Sequence, residues 1–316
     1  TDVLFSDFNN DGITDFFIPG SGYDAPPFPS EQNALVFGTK EGKFEDKSFL
    51  LPQILDYSHS AAVGDLNNDN YPDIYVGNVY GEQMYNPYLL INEKGSDFRK
   101  VELDADLFSL DNNWFLSALM ADLDEDGTTE LILGGLLSKN PSQIFTFDSH
   151  TEELILKSSL PNSNIEQNEL VLDIQSADLN SDGFSDLVLL NANPDYDQMG
   201  LQILIGNAEG NFEDETSSRL KDFDYTQPYA AFVGLIDVDY DGDIDIVPTF
   251  PRMPWQPMDT SPSAYINDGY GNFKEIYTNF RLKDATTLQT MIDYETGAVA
   301  AFHTNEGISV IDQFLF

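Results

Sequence analysis

Asp7-Phe-Asn-Asn-Asp-Gly-Ile-Thr-Asp15 recurs four times along the chain: Asp65-Leu-Asn-Asn-Asp-Asn-Tyr-Pro-Asp73, Asp122-Leu-Asp-Glu-Asp-Gly-Thr-Thr-Glu130, Asp178-Leu-Asn-Ser-Asp-Gly-Phe-Ser-Asp186 and Asp237-Val-Asp-Tyr-Asp-Gly-Asp-Ile-Asp245. The first residues of the five copies lie 58, 57, 56 and 59 apart. A fixed period of that size marks a repeat architecture in which every copy is one supersecondary unit. Asp293-Tyr-Glu-Thr-Gly297 stands 56 residues beyond Asp237 and reads as a sixth copy that has lost half its acids.

The flanks repeat with the loops. A small-and-apolar run precedes each one, as in Ser60-Ala-Ala-Val-Gly64 and Ser117-Ala-Leu-Met-Ala121, and a second follows, as in Ile74-Tyr-Val76 and Leu187-Val-Leu-Leu190. Both have the length of buried strands. A third run then turns into a fourth through glycine two residues before phenylalanine, at Gly42/Phe44, Gly210/Phe212 and Gly271/Phe273. That is hairpin punctuation. Each unit is expected to be four short antiparallel strands, the first two buried on both faces. Four-stranded units repeated radially make an all-β propeller whose closure protects its sheet edges, whereas a stacked solenoid has shorter repeats. The expectation is one domain over 1–316 with about six blades, or seven with further sequence. The repeat cores fall near 3–58, 60–115, 117–172, 173–230, 231–286 and 287–316. Copy one has no preceding outer strand and copy six lacks a fourth, so the chain is expected to belong to something larger, as a subunit or a segment of a surface assembly.

Within each loop, oxygen-bearing side chains stand at positions 1, 3, 5 and 9, with a tight turn at 6. Such a cluster repels itself until a hard divalent cation enters, and Ca²⁺ accepts six to eight oxygens, including a backbone carbonyl from position 7. About five Ca²⁺ sites are therefore expected. The first takes Asp7, Asn9, Asp11, Ile13 and Asp15, and the second Asp65, Asn67, Asp69, Tyr71 and Asp73. The third takes Asp122, Asp124, Asp126, Thr128 and Glu130, and the fourth Asp178, Asn180, Asp182, Phe184 and Asp186. The fifth takes Asp237, Asp239, Asp241, Asp243 and Asp245. Glycine at position 6, or Asn70 in the second copy, permits positive φ. Position 12, the bidentate Glu of an EF-hand, is Ile18, Val76, Leu133, Leu189 and Pro248, so these are not EF-hands. Glu130 departs from Asp at position 9 and predicts altered geometry there. The sixth loop is expected to be empty.

Strand, acidic loop, strand and G-x-F hairpin together resemble the FG-GAP/VCBS repeat family, whose members include integrin α-subunit-like propellers and many secreted microbial proteins. The likeness runs from Val3 to about Ile311, and the sixth copy departs from it. It implies a calcium-containing propeller in a secreted, cell-surface or periplasmic setting, and it leaves the chemistry open among adhesion, glycan recognition and polysaccharide cleavage.

The chain's 316 residues hold 55 Asp+Glu against 14 Lys+Arg, a net charge of −41. Phosphate backbones and anionic membrane surfaces would be repelled, so nucleic acid is not an expected partner. No apolar run has the length of a membrane span. Without cysteine there are no disulfides or thiolate metal sites, and three scattered histidines do not suggest a His-rich metal centre. Five divalent ions would offset only ten of the surplus negative charges. The remainder suits a salty or calcium-rich medium or cationic partners.

In a four-stranded blade, the loops joining strands 2 and 3 and the crossings to the next blade share the rim opposite the acidic loops. Here those segments are long and aromatic, and loops on a rigid scaffold are where binding concentrates. A glycan or protein segment is the expected ligand, with Tyr23, Tyr57, His59, Tyr85, Trp114, Tyr196, Tyr225, Arg252 and Trp255 as candidate contacts. A binding module is expected rather than an enzyme, with a polysaccharide lyase or glycoside hydrolase as the alternative. No Ser/His/Asp order, phosphate loop or HExxH is present.

Overall fold

The computed structural model describes residues 3–21, 29–78, 86–104, 108, 115–136, 141–163, 170–193, 199–221, 230, 232–249, 264–276, 302–304 and 307–309. The residues form five four-stranded antiparallel sheets, each strand hydrogen-bonded to the next in sequence. The first sheet contains β1 (Leu4–Ser6), β2 (Asp15–Ile18), β3 (Ala34–Gly38) and β4 (Phe44–Asp46). The second has β5 (Ser58–Gly64), β6 (Asp73–Asn78), β7 (Tyr88–Asn92) and β8 (Phe98–Glu102). The third has β9 (Phe115–Ala121), β10 (Glu130–Gly135), β11 (Gln143–Asp148) and β12 (Glu153–Ser159). The fourth has β13 (Leu170–Ala177), β14 (Asp186–Ala192), β15 (Met199–Gly206) and β16 (Phe212–Asp214), followed by one helical turn, Thr216–Arg219. The fifth has β17 (Phe232–Ile236), β18 (Asp245–Thr249), β19 (Ala264–Asn267) and β20 (Phe273–Ile276). A hairpin of β21 (Phe302–Thr304) and β22 (Gly307–Ser309) lies in the sixth copy, whose acidic remnant at 293–297 falls outside the described residues.

Alternation along the strands sends the two faces of each sheet into different cores. In β6, Ile74 and Val76 pack towards the first sheet with Phe17, Leu35 and Phe37. Tyr75, between them, packs towards the third sheet with Leu131, Leu133 and Phe145. Ile132 then joins Leu187 and Leu189 between sheets three and four, and Val188 and Leu190 join Ile246 and Tyr265 between sheets four and five. Each core is thus an interface between successive sheets, as expected when a repeat cannot bury its apolar surface alone.

The strands buried on both faces lie inside the sheets: the second strand in sheets two to four, and β7 as well. β6, β10 and β14 are buried at every position, whereas β5 and β9 alternate between buried and half-buried residues. This corrects the expectation that the first strand is buried on both faces. A first strand is a sheet edge, and it packs against the first strand of the next sheet, as β5 does against β9 and β9 against β13. Small residues permit that approach. A Cβ on Gly64 would lie 2.8 Å from Met120 Cβ. None of the helices among the described residues is long and apolar enough to cross a membrane, which says nothing of β-barrels.

Candidate metal centre

Each acidic loop joins the first and second strands of its sheet. Its backbone is folded by its own acids before any cation is considered. In the first loop, Asp7 accepts from the backbone N–H groups of Asp11 (3.0 Å) and Gly12 (2.7 Å), Asn9 accepts from Asp11 (3.0 Å), and Asp11 accepts from Ile13 (3.0 Å). The second and fourth loops repeat all four bonds. Position 6 has positive φ in every copy, including Asn70 at 69°, as the residue types require. Position 4 is left-handed as well: Asn10, Asn68, Glu125, Ser181 and Tyr240 have φ of 57–63°. Only the two asparagines gave a sequence signal for it.

Position 9 is the pivot of the loop. Asp15, Asp73, Asp186 and Asp245 are fully buried, and each carboxylate holds two backbone N–H groups. One comes from position 2 of the same loop: Phe8 2.9 Å, Leu66 3.2 Å, Leu179 3.0 Å and Val238 2.9 Å. The other comes from the end of the third strand: Gly38 2.9 Å, Asn92 2.8 Å, Gly206 2.9 Å and Asn267 2.8 Å. Burial pushes these carboxyls up, the backbone donors pull them partly back, and neighbouring loop acids push again. Asp15 and Asp186 rise to about 6, Asp73 rises to about 7, and Asp245 moves the same way.

The strand 3–4 hairpins share this rim and cap the loop of the preceding sheet. A Cβ on Gly95 would lie 2.7 Å from Asn9 Cα, and one on Gly271 would lie 3.2 Å from Asn180 Cβ. Asn92 is the joint between two loops: its amide donates to the carbonyls of Phe8 (2.9 Å) and Pro72 (3.0 Å) and accepts from Gly95 N–H (2.7 Å). Asn267 does the same for Leu179 (2.8 Å) and Ile244 (3.0 Å). Sequence reasoning missed both asparagines. The signal was present as Ile91-Asn and Ile266-Asn immediately before hairpin turns.

The donor set is entirely oxygen, which suits a hard divalent cation. Among the described residues, two acidic clusters are tight enough to hold one, since the ligand atoms of Asp237, Asp239 and Asp241, and of Asp122, Asp124 and Glu130, lie within 4.8 Å of one another. A carboxylate oxygen has room for a second partner, so the clamping role of position 9 is compatible with coordination. The third loop differs. Glu130 accepts from Leu123 N–H (3.0 Å), but its second oxygen takes the Lys157 ammonium at 2.8 Å, and Asp124 takes the same ammonium at 2.8 Å.

On the opposite rim, Asp56 is fully buried and binds the amides of Asn33 (2.8 Å) and Asn78 (3.3 Å) and the Tyr88 hydroxyl. Burial raises its carboxyl despite these donors. Backbone bonds between Glu31 and Asp56 (2.7 and 2.8 Å) tie the first sheet to this crossing. Tyr57 is 2% exposed and stacks on His59 with ring centroids 5.1 Å apart. Little of the Tyr57 ring is therefore exposed. His59 is half-buried, and His150 is exposed on the β11–β12 turn. Tyr23, Tyr85, Trp114, Tyr196, Tyr225, Arg252 and Trp255 lie outside the described residues.

No curated protein matches the chain in sequence. Among solved structures it is similar to the V. cholerae biofilm matrix protein Bap1 (14% identity, TM-score 0.47), covering 88% of this chain and 39% of that one. It is also similar to the exotype rhamnogalacturonan lyase YesX (13% identity, TM-score 0.48; 88% and 49% covered). A third is an alpha-L-arabinofuranosidase from Clostridium thermocellum (10% identity, TM-score 0.43; 88% and 93% covered). The chain therefore spans about two fifths and one half of the first two. Residues 7–76, which run from the first acidic loop through the second and into β6, match the model of the FG-GAP-like repeat. Over that stretch, 70 of its 316 residues, the chain is similar to an FG-GAP-like repeat.

Proposed function

We propose that this chain is a calcium-stabilised extracellular recognition module built as a six-bladed propeller, with Ca²⁺ in acidic loops on one rim and a glycan or protein segment bound on the other. The observation that carries the calcium reading is the recurrence of one stitched loop around an all-oxygen donor set. The ring reading is supported by the apolar faces left at the two ends of the row of sheets. Phe16 of the first sheet packs edge-on to Phe5 (5.1 Å) and to Phe44 (5.0 Å) on the face away from the second sheet, and Phe44 is 64% exposed. At the other end, Ile236, Val247 and Ala264 cluster on the face of the fifth sheet away from the fourth. The fifth-sheet cluster is already buried, whereas Phe44 is not, and a sixth unit from 287–316 seated against the first sheet would cover it. The extracellular setting is supported by the calcium demand of the loops and by the surplus negative charge.

Chelation tests the metal. Each site loaded at a hundred times its Kd adds about 2.7 kcal/mol by mass action, so EGTA is expected to lower Tm strongly and Ca²⁺ to restore it. A melting curve indifferent to EGTA overturns the reading. Glycan arrays in Ca²⁺, repeated with Trp114→Ala and Trp255→Ala, test the rim. Unsaturated or new reducing ends released from a bound polymer would favour a lyase or hydrolase instead.

A further inference from the structure

The third copy departs from the other four at three positions that meet in one place. Position 9 is Glu130 rather than Asp. The residue whose backbone N–H should reach that carboxylate is Phe147, where the other sheets have Gly38, Asn92, Gly206 and Asn267; the register Leu131↔Phe145 fixes the equivalence, two residues before Phe147. The third difference lies in β12. Ser158 pairs with Ile144 and Leu156 with Phe145, which leaves Lys157 as the extra residue of a β-bulge. A bulge re-aims a side chain. This one delivers the Lys157 ammonium to 2.8 Å from both Asp124 at position 3 and Glu130 at position 9. Glu130 is 1% exposed and Asp124 12% exposed, so the pair lies well inside the rim. The hairpin of the fourth sheet closes over it, since a Cβ on Gly210 would lie 3.2 Å from Asp124 Oδ2 and 3.4 Å from Lys157 Nζ.

We infer that Lys157 is the resident cation of the third acidic loop, and that this loop binds no Ca²⁺ while the others do. Two oxygens that the repeat template gives to the metal already bond an ammonium. A Ca²⁺ ion drawing on the same oxygens would sit against a like charge at close range. A longer carboxylate at position 9 is what an inserted lysine requires, because Glu130 must meet both Leu123 N–H and Nζ where Asp would meet two backbone donors of its own sheet. The ammonium then does for the loop what the metal does elsewhere, at one positive charge instead of two. The inference rests on the calcium reading of the other loops.

The test is a count of bound Ca²⁺ by native mass spectrometry of the full chain, stripped with EDTA and titrated back. Asp65→Ala in the second loop is expected to lose one ion, Asp122→Ala in the third is expected to keep the wild-type count, and Lys157→Met is expected to gain one. Loss of an ion in Asp122→Ala, or an unchanged count in Lys157→Met, overturns the inference. If Asp122→Ala does not fold, Lys157→Met decides alone. A wild-type chain that takes up no Ca²⁺ at all overturns the calcium reading itself, which Asp65→Ala reports separately from Lys157.

Discussion

At position 4 of the fifth loop, Tyr240 is 77% exposed with φ of 63°. A left-handed backbone costs an ordinary L-residue roughly 1–2 kcal/mol and costs asparagine much less. Copies one and two already use Asn10 and Asn68 there. Tyr240→Asn is therefore expected to stabilise the protein by about 0.5–1 kcal/mol, with a higher Tm both with and without Ca²⁺, since the gain lies in the backbone. The neighbouring Gly242, at φ of 99°, has open space where a Cβ would go, so its constraint is conformational and not steric.

Among elements, the buried acid at position 9 decides how loop and sheet are joined. Asp73 binds Leu66 N–H on one oxygen and Asn92 N–H on the other, and Asn92 in turn holds the preceding loop through Phe8. One carboxylate thereby registers the acidic loop, the end of the third strand and the neighbouring sheet. Replacing it with an amide turns one acceptor into a donor facing an N–H, and a buried mismatch of that kind costs about 1–3 kcal/mol. Asp73→Asn is expected to lose about 2 kcal/mol in EGTA as well as in Ca²⁺. Denaturant unfolding under both conditions separates this clamp from metal binding, because a purely ligating residue would lose stability only when Ca²⁺ is present.

For the molecule as a whole, the raised carboxyls set the pH response. Asp15, Asp73 and Asp186 titrate near 6–7 when folded and near 3.8 otherwise, so between about pH 4 and pH 7 the metal-free folded chain binds more protons than the unfolded one. Stability of the metal-free protein therefore falls as pH rises through that window. The net charge of −41 acts in the same direction. If the loops hold Ca²⁺ as proposed, the ion would reverse the sign by binding the ionised form and releasing those protons. In EGTA, Tm is expected to be higher at pH 5 than at pH 8, and in saturating Ca²⁺ higher at pH 8. Equal slopes in the two conditions would show that the raised acids are not linked to the metal.

The sequence by itself determined the repeat, its period, the four antiparallel strands per unit and the turns, because each rests on local chemistry: acids and glycine at fixed spacing, apolar runs of strand length, and glycine before phenylalanine. Positive φ at Asn70 was legible for the same reason. Only the tertiary structure decided what the residues do across units. Asp73 looked like one more loop acid until the third strand placed Asn92 N–H upon it. Tyr57 looked like an exposed aromatic, yet it is 2% exposed and stacked on His59. Lys157 carried no signal at all, since nothing in Leu154-Ile-Leu-Lys157 announces a bulge, and an ammonium reaches a loop 27 residues away only after two strand turns bring them together. Periodicity reports the faces of a strand, whereas the partner a side chain meets on that face depends on register and on the neighbouring sheet.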